Sequence, residues 1–285
     1  MRNFWTFGSI PPAELARRVL REANDDDVLG QSAKLSYYLV LAIFPLLIFL
    51  VALMGILAPG SGMLQSLLEY WRHVLPLSAY DLVVATLQQV SANASRGKLS
   101  FSLLGTIWAA SNGISAIIDG LNKAYDVKES RPWWKAQFIS ILLTIALSSF
   151  VVIALAIVLY GNRIGEFVAT KAGFGRQFAA AWNVLQWPIG LGFVLIGFVL
   201  LYRYAPDLRG LKWYLVTPGA VVAVALWLVV SIGFRIYLHY FNHYGATYGS
   251  LGAVIILMLW FYLTGAAILV GGEVNAEIAK VKRRK

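Results

Sequence analysis

The sequence of 285 residues contains no cysteine, and only 13% of its residues are charged. Without cysteine there is no disulfide framework, no thiol nucleophile and no thiolate metal site. Soluble domains carry about twice this share of charged residues. The charge is also one-sided, because 24 Lys and Arg face 14 Asp and Glu and give a formal net charge of +10. In an apolar chain such an excess favours membrane topology and anionic headgroups, so we expect no nucleic-acid partner.

Long apolar runs are abundant, and 59% of the residues are hydrophobic. Several continuous runs of about 20 residues are long enough to cross a bilayer as helices. Because the runs are continuous rather than alternating, they favour helices over a membrane barrel. We predict an all-α, polytopic membrane protein that forms one domain over residues 1–285. Its six transmembrane helices are predicted over residues 37–57, 99–118, 137–160, 182–202, 213–237 and 251–271.

The segments outside these spans have their own patterns. Residues 1–36 are predicted as a tail with a short amphipathic helix over 11–23, which begins at the Pro11–Pro12 pair. That helix lies either in the headgroup zone, as an interfacial helix, or against the protein's own loops. The run from Asn24 to Asp27 offers acceptors for the N-terminus of the next helix. The membrane bundle over 37–271 includes an outer amphipathic helical hairpin over 61–95 and a loop over 161–181, and 272–285 form a basic tail.

The distribution of basic residues predicts the topology. With six spans, seventeen of the 24 Lys and Arg fall on the side of the two termini and seven on the other side. The positive-inside rule therefore places both termini in the cytoplasm. The basic flanks also predict contact with anionic lipid headgroups at the cytoplasmic face.

The second predicted span carries a polar stripe that ordinary lipid-facing helices lack. On a different side of the same helix from the polar stripe lie Gly105, Ala109 and Gly113, as the rotation of 100° per residue predicts. They form a small-xxx-small pattern, which lets helices approach closely. This pattern serves packing either within one chain or between two copies in a homo-oligomer. The polar side chains either line a solute path or form hydrogen bonds between helices. The candidates for the path are Ser111, Asn112, Ser115, Asp119 and Asn122.

Prolines interrupt the first and fourth predicted spans, and each is a candidate for a helix kink. Pro45 and Pro188 each remove a backbone hydrogen bond from a helix interior. Proline-interrupted helices at matching positions are typical of transporters with inverted repeats, which would relate residues 37–160 to 182–271.

Four polar residues near the ends of the spans are secondary site candidates. They are Lys34, Arg235, Glu273 and Asn275. Glu273 and Asn275 follow the last predicted span, where they either pair with Lys34 or Lys123 or are solvated.

No pattern in the sequence indicates catalysis. His239 and His243 are four residues apart, but a zinc site needs further ligands and a metalloprotease helix also needs a glutamate between them. A P-loop and a nucleophile elbow are also missing. We therefore predict no catalytic residue, no metal site, no cofactor and no enzymatic activity.

Five segments carry a family resemblance that spans nearly the whole chain. They are LSYYLVLAIFPLLIFLVAL, GTIWAASNGISAIIDGLNKAYDVKESRPWW, LYRYAPD, WYLVTPGA and YGSLGAVIILMLWFYLTGAAILVGGEVNAE. In this order they resemble the YihY / virulence factor BrkB family. The resemblance implies a bacterial inner-membrane protein with about six helices and a role in transport or in the envelope. Some members are linked to serum resistance, and the family once carried the label ribonuclease BN. The histidine–aspartate clusters of a metal-dependent nuclease are missing here.

These patterns predict a transporter or exporter of a small or amphiphilic, lipid-like solute. The polar stripe on the second helix would line an inward-facing cavity, and the solute itself is unknown. The alternative is a non-transporting envelope scaffold or lipid-organising protein. A membrane-bound ribonuclease is a remote alternative.

Overall fold

A computed structural model of the chain describes residues 11–57, 96–171, 175–208, 213–240 and 250–283, with a few single positions between 65 and 84. Within these residues there are seven bounded α-helices and no β-strand, which confirms the predicted all-α class. The helices are α1 (Pro12–Asp25), α2 (Val28–Leu57), α3 (Arg96–Ala124), α4 (Trp133–Lys171), α5 (Gly175–Tyr204), α6 (Trp213–Tyr240) and α7 (Ser250–Arg283).

Four of these helices contain a stretch long and apolar enough to cross a membrane. The stretches are Trp133–Val158, Ala181–Tyr204, Thr217–Leu238 and Val254–Val281. Large apolar side chains on them face outward, since Phe138 is 61% exposed, Val184 70% and Val229 68%. Such surfaces are stable against lipid but not against water. The chain is therefore a helical, multi-pass membrane protein, and the count of six spans stays a prediction.

The N-terminal amphipathic helix is confirmed as α1. Its first residue is Pro12, whose fixed φ suits a helix start and whose missing N–H would have no partner there. After α1, Asp27 adopts a left-handed φ of 52° and turns the chain into α2. The Oδ1 atom of Asp27 accepts a hydrogen bond of 3.1 Å from the backbone N–H of Gly30, and so caps α2 as the sequence predicts.

Two helices extend past the ends of their predicted spans. The predicted loop over 161–181 is wrong, because α4 continues to Lys171 and α5 begins at Gly175. The predicted basic tail over 272–285 begins within a helix, because α7 continues to Arg283. Both segments lack proline and are rich in alanine and charged helix formers, so the helices continue beyond their apolar stretches. The predicted hairpin over 61–95 lies outside the described residues, apart from single positions.

The helices pack so that α7 lies at the centre of the bundle. It contacts α1, α2, α3 and α6, while α4 packs on α5 and α2 packs on α3. The buried core lies near the end of the bundle that carries α1, and we call this end the α1 end. Its fully buried side chains include Leu121 of α3, Tyr202 of α5, Ala223 of α6 and Leu269 of α7.

One end of the small-residue stripe of α3 lies against α2. A Cβ atom at Gly113 would lie 3.2 Å from the Cβ atom of Ala42, so the two helices are close there. A Cβ atom at Gly105 would have no atom within 4 Å. The stripe therefore serves helix packing within the chain at its Gly113 end.

Neither candidate proline ends its helix. The helix α5 is continuous through Pro188, and α2 is continuous through position 45. A bend at either proline stays a prediction.

Candidate functional site

The predicted polar stripe on α3 divides among three different surroundings. Its first part binds α4: the side-chain amide of Gln137 donates a hydrogen bond of 2.7 Å to the hydroxyl of Ser111, which is fully buried. The hydroxyl of Ser115 donates to that of Ser140 over 2.9 Å. Both are hydrogen bonds between neighbouring helices, which is the structural role that serine often has in membrane bundles.

The second part of the stripe is Asn122, which joins three chain segments. Its Nδ2 atom donates a hydrogen bond of 3.0 Å to Glu129, and its Oδ1 atom accepts one of 2.7 Å from the backbone N–H of Asp207. Arg131 donates from Nε to the same Glu129 over 2.6 Å and from Nη2 to the carbonyl oxygen of Ala205 over 2.9 Å. We call Asn122, Glu129, Arg131 and Asp207 the Asn122 clamp.

Charge pairing sets the protonation of this clamp. The hydrogen bond from Arg131 holds the pKa of the Glu129 carboxyl below its usual value. The same bond raises the pKa of the Arg131 guanidinium. Both groups are therefore charged at neutral pH, and the clamp fastens the end of α3 to the turn after α5.

The third part of the stripe, Asn112 and Asp119, is exposed. The secondary candidates Lys34 and Arg235 are exposed as well, as is Pro188. These residues are not brought together with Ser111 or Asn122 in one enclosed space, and their part in a solute path stays a prediction.

The remaining two candidates, Glu273 and Asn275, lie in the most unusual environment of the described chain. Glu273 is 0% exposed and Asn275 1%, which corrects the expectation that they are solvated or paired with Lys34 or Lys123. Neither carboxyl oxygen of Glu273 has a hydrogen-bond partner among the described residues. An unpaired buried carboxylate is costly, so it marks a candidate site.

Two residues from other helices complete this buried site. The carboxyl group of Asp26, just after α1, faces that of Glu273. The hydroxyl of Tyr125, just after α3, faces the side-chain amide of Asn275. Oδ2 of Asp26, the Tyr125 hydroxyl and Nδ2 of Asn275 are all buried without an assigned donor or acceptor in the described structure. We call these four residues the Glu273 site.

Close backbone packing holds α7 in place beside the site. A Cβ atom at Gly219 of α6 would collide with the carbonyl oxygen of Gly271 and with the side chain of Asn275. The absence of a side chain at Gly219 lets α6 and α7 approach closely. This approach allows the backbone N–H of Gly219 to donate a hydrogen bond of 2.7 Å to Oδ1 of Asn275.

The helix α1 packs over the Glu273 site. Leu15 and Val19 of α1 are buried against Val274 and Ile278 of α7. Of the two alternatives for this helix, packing against the protein itself is therefore observed, with α7 rather than a loop as its partner. Leu20 on the same helix is 72% exposed.

The lysines near the Glu273 site bind other groups. Nζ of Lys280 lies 3.1 Å from Glu22, 2.9 Å from Asp126 and 3.3 Å from Glu277. Nζ of Lys123 donates to the backbone carbonyl oxygen of Asp26 rather than to its carboxylate.

Burial shifts the titration of two groups of the Glu273 site. Burial raises the pKa of the Asp26 carboxyl, although the neighbouring Glu273 carboxyl partly offsets the shift. Burial also raises the pKa of the Tyr125 hydroxyl, which therefore keeps its proton.

A polar cleft of about 510 Å³ opens beside the site between α1 and α7. Arg17, Arg18 and Arg21 line one wall, and Glu277 and Lys280 line another. Glu22 and Asp126 also line the cleft, and both interact electrostatically with Asp26. The cleft therefore gives the surrounding water access to the acidic groups next to the Glu273 site.

Two of the four residues of the Glu273 site were not predicted as site residues. Asp26 lies in a run that was predicted only to cap a helix, and Tyr125 lies beyond the end of the predicted second span. No spacing within one helix identifies these two residues, because Asp26 and Tyr125 reach the site from other segments of the chain. Among the described residues, no group of three or more His, Asp or Glu side chains could hold a metal ion.

Comparison with known proteins agrees with the class that the fold defines, a multi-pass helical membrane protein. The model of the family described as Virulence factor BrkB matches residues 19–285. The chain therefore belongs to the virulence factor BrkB family, and the resemblance seen in the sequence is confirmed.

Three individual relatives are similar to this chain over most of its length. The chain is 38% identical to the ribonuclease-like protein YfkH of Bacillus subtilis, over 89% of this chain and 91% of the relative. It is 24% identical to a UPF0761 membrane protein of Pseudoalteromonas translucida, over 90% and 82% of the two chains. A UPF0761 membrane protein of Xanthomonas campestris is 25% identical over 94% of this chain, which spans 61% of that relative. No solved structure matches the chain.

Proposed function

We propose that this chain transports a small or amphiphilic solute across the bacterial inner membrane, with both termini in the cytoplasm and the Glu273 site as its polar centre. The observation that carries the proposal is the buried carboxyl group of Glu273, which has no hydrogen-bond partner among the described residues. It lies on α7, within a stretch that is long enough to span a membrane. Ionisable residues in such positions are costly and typically serve ion or substrate movement.

The surroundings of Glu273 support this proposal. Buried polar groups normally have partners, yet Tyr125 and Asn275 also keep unused polar atoms at the site. A cleft of about 510 Å³ lies beside the site, at the end of the bundle for which the basic residues favour a cytoplasmic location. The exposed stripe residues Asn112 and Asp119 remain proposed contacts of the solute path.

A test compares a bacterial strain that lacks this chain with strains that express the wild type or Glu273→Gln. Lipids and metabolites are measured in cells and medium by untargeted mass spectrometry, at equal protein abundance. We expect the wild type to restore the distribution of at least one solute and Glu273→Gln not to restore it. The matched control is Glu277→Gln, one turn away on α7 and also buried, where the carboxylate has Lys280 as a partner. If deletion changes no solute distribution, the transport proposal is wrong.

The second candidate function is an envelope scaffold, and one observation favours it. Ser111 and Ser115 use their hydroxyls to bind α4, so this part of the stripe holds helices together. A scaffold predicts that partner proteins or lipids co-purify with the chain and that Glu273→Gln has no effect on solutes. The name of the Bacillus subtilis relative suggests a nuclease activity, but the described residues offer no cluster of metal ligands for it.

A further inference from the structure

The buried carboxyl group of Glu273 requires a partner that the described structure does not supply. It is 0% exposed, and neither of its oxygen atoms accepts a hydrogen bond. As a carboxylate it would have lost its hydration without gaining any compensating donor. As a neutral carboxylic acid it would carry one O–H donor and no net charge. The environment therefore favours the neutral form.

The neighbouring Asp26 offers the matching acceptor. Its Oδ2 atom is buried without a partner, and its carboxyl group faces Glu273. Two carboxylates at close range repel each other, whereas a carboxylic acid and a carboxylate attract through one shared proton. A single proton would therefore satisfy the unpaired oxygen atoms on both residues.

The other charged groups around the pair do not replace this proton. The titratable groups that act on the pair are Glu22 from α1, Lys123 from α3, Tyr125 and Asp126 just after α3, and Lys280 from α7. Next to these groups, Tyr202 of α5 lies near Tyr125 and Glu277 of α7 binds Lys280. Lys280 binds Glu22, Asp126 and Glu277, and Lys123 binds a backbone oxygen. Both lysines beside the pair therefore have other partners, and Arg17, Arg18 and Arg21 line the adjoining cleft.

A route for the proton leads through the cleft between α1 and α7. Glu22 and Asp126 line the cleft between α1 and α7 and lie near Asp26. Asp26 itself is partly exposed, whereas Glu273 is not. Protons can therefore reach Asp26 from the cleft and pass to Glu273 by one short transfer.

We propose that Asp26 and Glu273 form a buried proton-binding pair that holds one exchangeable proton and is loaded from the cleft beneath α1. This inference deepens the proposed function, because it names the proton as the ion that drives or gates solute movement. Only the coupling to solute rests on the proposed function, since the pair binds its proton whether or not the chain transports.

The test is infrared spectroscopy of the purified full-length protein in lipid nanodiscs, titrated over pH. A protonated carboxyl group gives a C=O stretching band that is separate from the bands of carboxylates, and ¹³C-labelled glutamate assigns it to Glu. We expect a protonated glutamate band that persists at neutral pH in the wild type. The band should disappear in Glu273→Gln and remain in the control Glu277→Gln. Its absence from the wild type at neutral pH, or its persistence in Glu273→Gln, would falsify the proton pair.

A second variant keeps the test decisive if Glu273→Gln does not fold. Asp26→Asn replaces the acceptor by an amide that can donate a hydrogen bond, so Glu273 should ionise and its band should weaken strongly at neutral pH. The matched control is the exposed neighbour Asp25→Asn, which should leave the band unchanged. An unchanged band in Asp26→Asn contradicts sharing between the two residues.

The same preparation separates the proton from a metal cation. Thermal stability is measured in sodium chloride and in N-methylglucamine chloride at equal ionic strength. Equal stability in the two salts, together with the protonated band, supports the proton pair. Sodium-dependent stability without the band means that the pair holds a sodium ion, and the proposal is wrong. A protonated band without any solute phenotype leaves the proton pair intact and refutes transport alone.

Discussion

Asn275 of α7 accepts a hydrogen bond of 2.7 Å from the backbone N–H of Gly219 on α6. This bond exists because Gly219 lies against the carbonyl oxygen of Gly271, with no room for a Cβ atom. The contact places α7 so that Glu273, two residues before Asn275, lies in the interior. The distance between α6 and α7 and the burial of the Glu273 carboxyl group thus both depend on the close approach at Gly219.

The substitution Gly219→Ala should strongly destabilise the protein. The new methyl group would push α6 from α7 and stretch the bond to Asn275, at a cost of about 3 kcal/mol or more. Thermal unfolding in detergent measures the effect. The matched control is Gly233→Ala on the same helix, where an added Cβ would have no atom within 4 Å. It should be neutral or slightly stabilising, because alanine favours helix more than glycine. Equal stability of both variants would show that the close approach is not required.

The substitution Val19→Ala should loosen α1. Val19 is buried against α7, and its loss removes apolar contacts worth about 1–3 kcal/mol. Hydrogen exchange of α1 amides should become faster, while exchange in the core around Leu121 should stay slow. The control is Leu20→Ala, which changes a side chain that is 72% exposed. If Leu20→Ala releases α1 more than Val19→Ala does, the helix is held by lipid rather than by α7.

The substitution Asn122→Ala should weaken the Asn122 clamp. Asn122 is 5% exposed and uses both ends of its amide, so alanine leaves Glu129 and the N–H of Asp207 short of a partner. We expect a loss of about 1–3 kcal/mol in thermal unfolding experiments. The exposed Asn112→Ala on the same helix should change stability by less than about 0.5 kcal/mol. Similar losses in the two variants would contradict the assignment of the clamp.

The contribution of Glu129 to stability should depend on pH in the acidic range. Its pKa is lower in the folded protein because of the hydrogen bond from Arg131, so the unfolded chain binds the proton more readily. The contribution is therefore present above the ordinary pKa of glutamate and is lost as the pH falls through the folded value. The measurement compares the midpoints of thermal unfolding of the wild type and Glu129→Gln between neutral and acidic pH. The gap between them should shrink as the pH falls, and a gap that grows would show the opposite sign.

Much of the architecture could be predicted from local patterns. Continuous apolar runs predict spanning helices because no other open structure satisfies the backbone in lipid. The paired prolines before Ala13 predict the start of α1, and Asp27 caps α2 as expected. The ends of α4 and α7 were missed, because hydropathy reports where the apolar surface stops and not where the helix stops.

The site could be predicted only in part, because burial of a polar residue depends on its neighbours. Ser111 and Asp119 belong to the same predicted stripe, yet the first is fully buried against α4 and the second is exposed. Ser111 is covered because Gln137 of α4 lies against it. Nothing in the spacing along α3 could distinguish the two.

The sequence by itself determined the membrane class, the helical content and the family, since these follow from apolar run length and from ordered segments along one chain. The tertiary structure alone decided that Glu273 is enclosed and that it faces Asp26, a residue almost 250 positions earlier in the chain. The packing of α1 on α7 and the close approach of α6 at Gly219 bring these groups together and exclude water. Burial and pairing of charges are properties of that packing, and no local pattern encodes them.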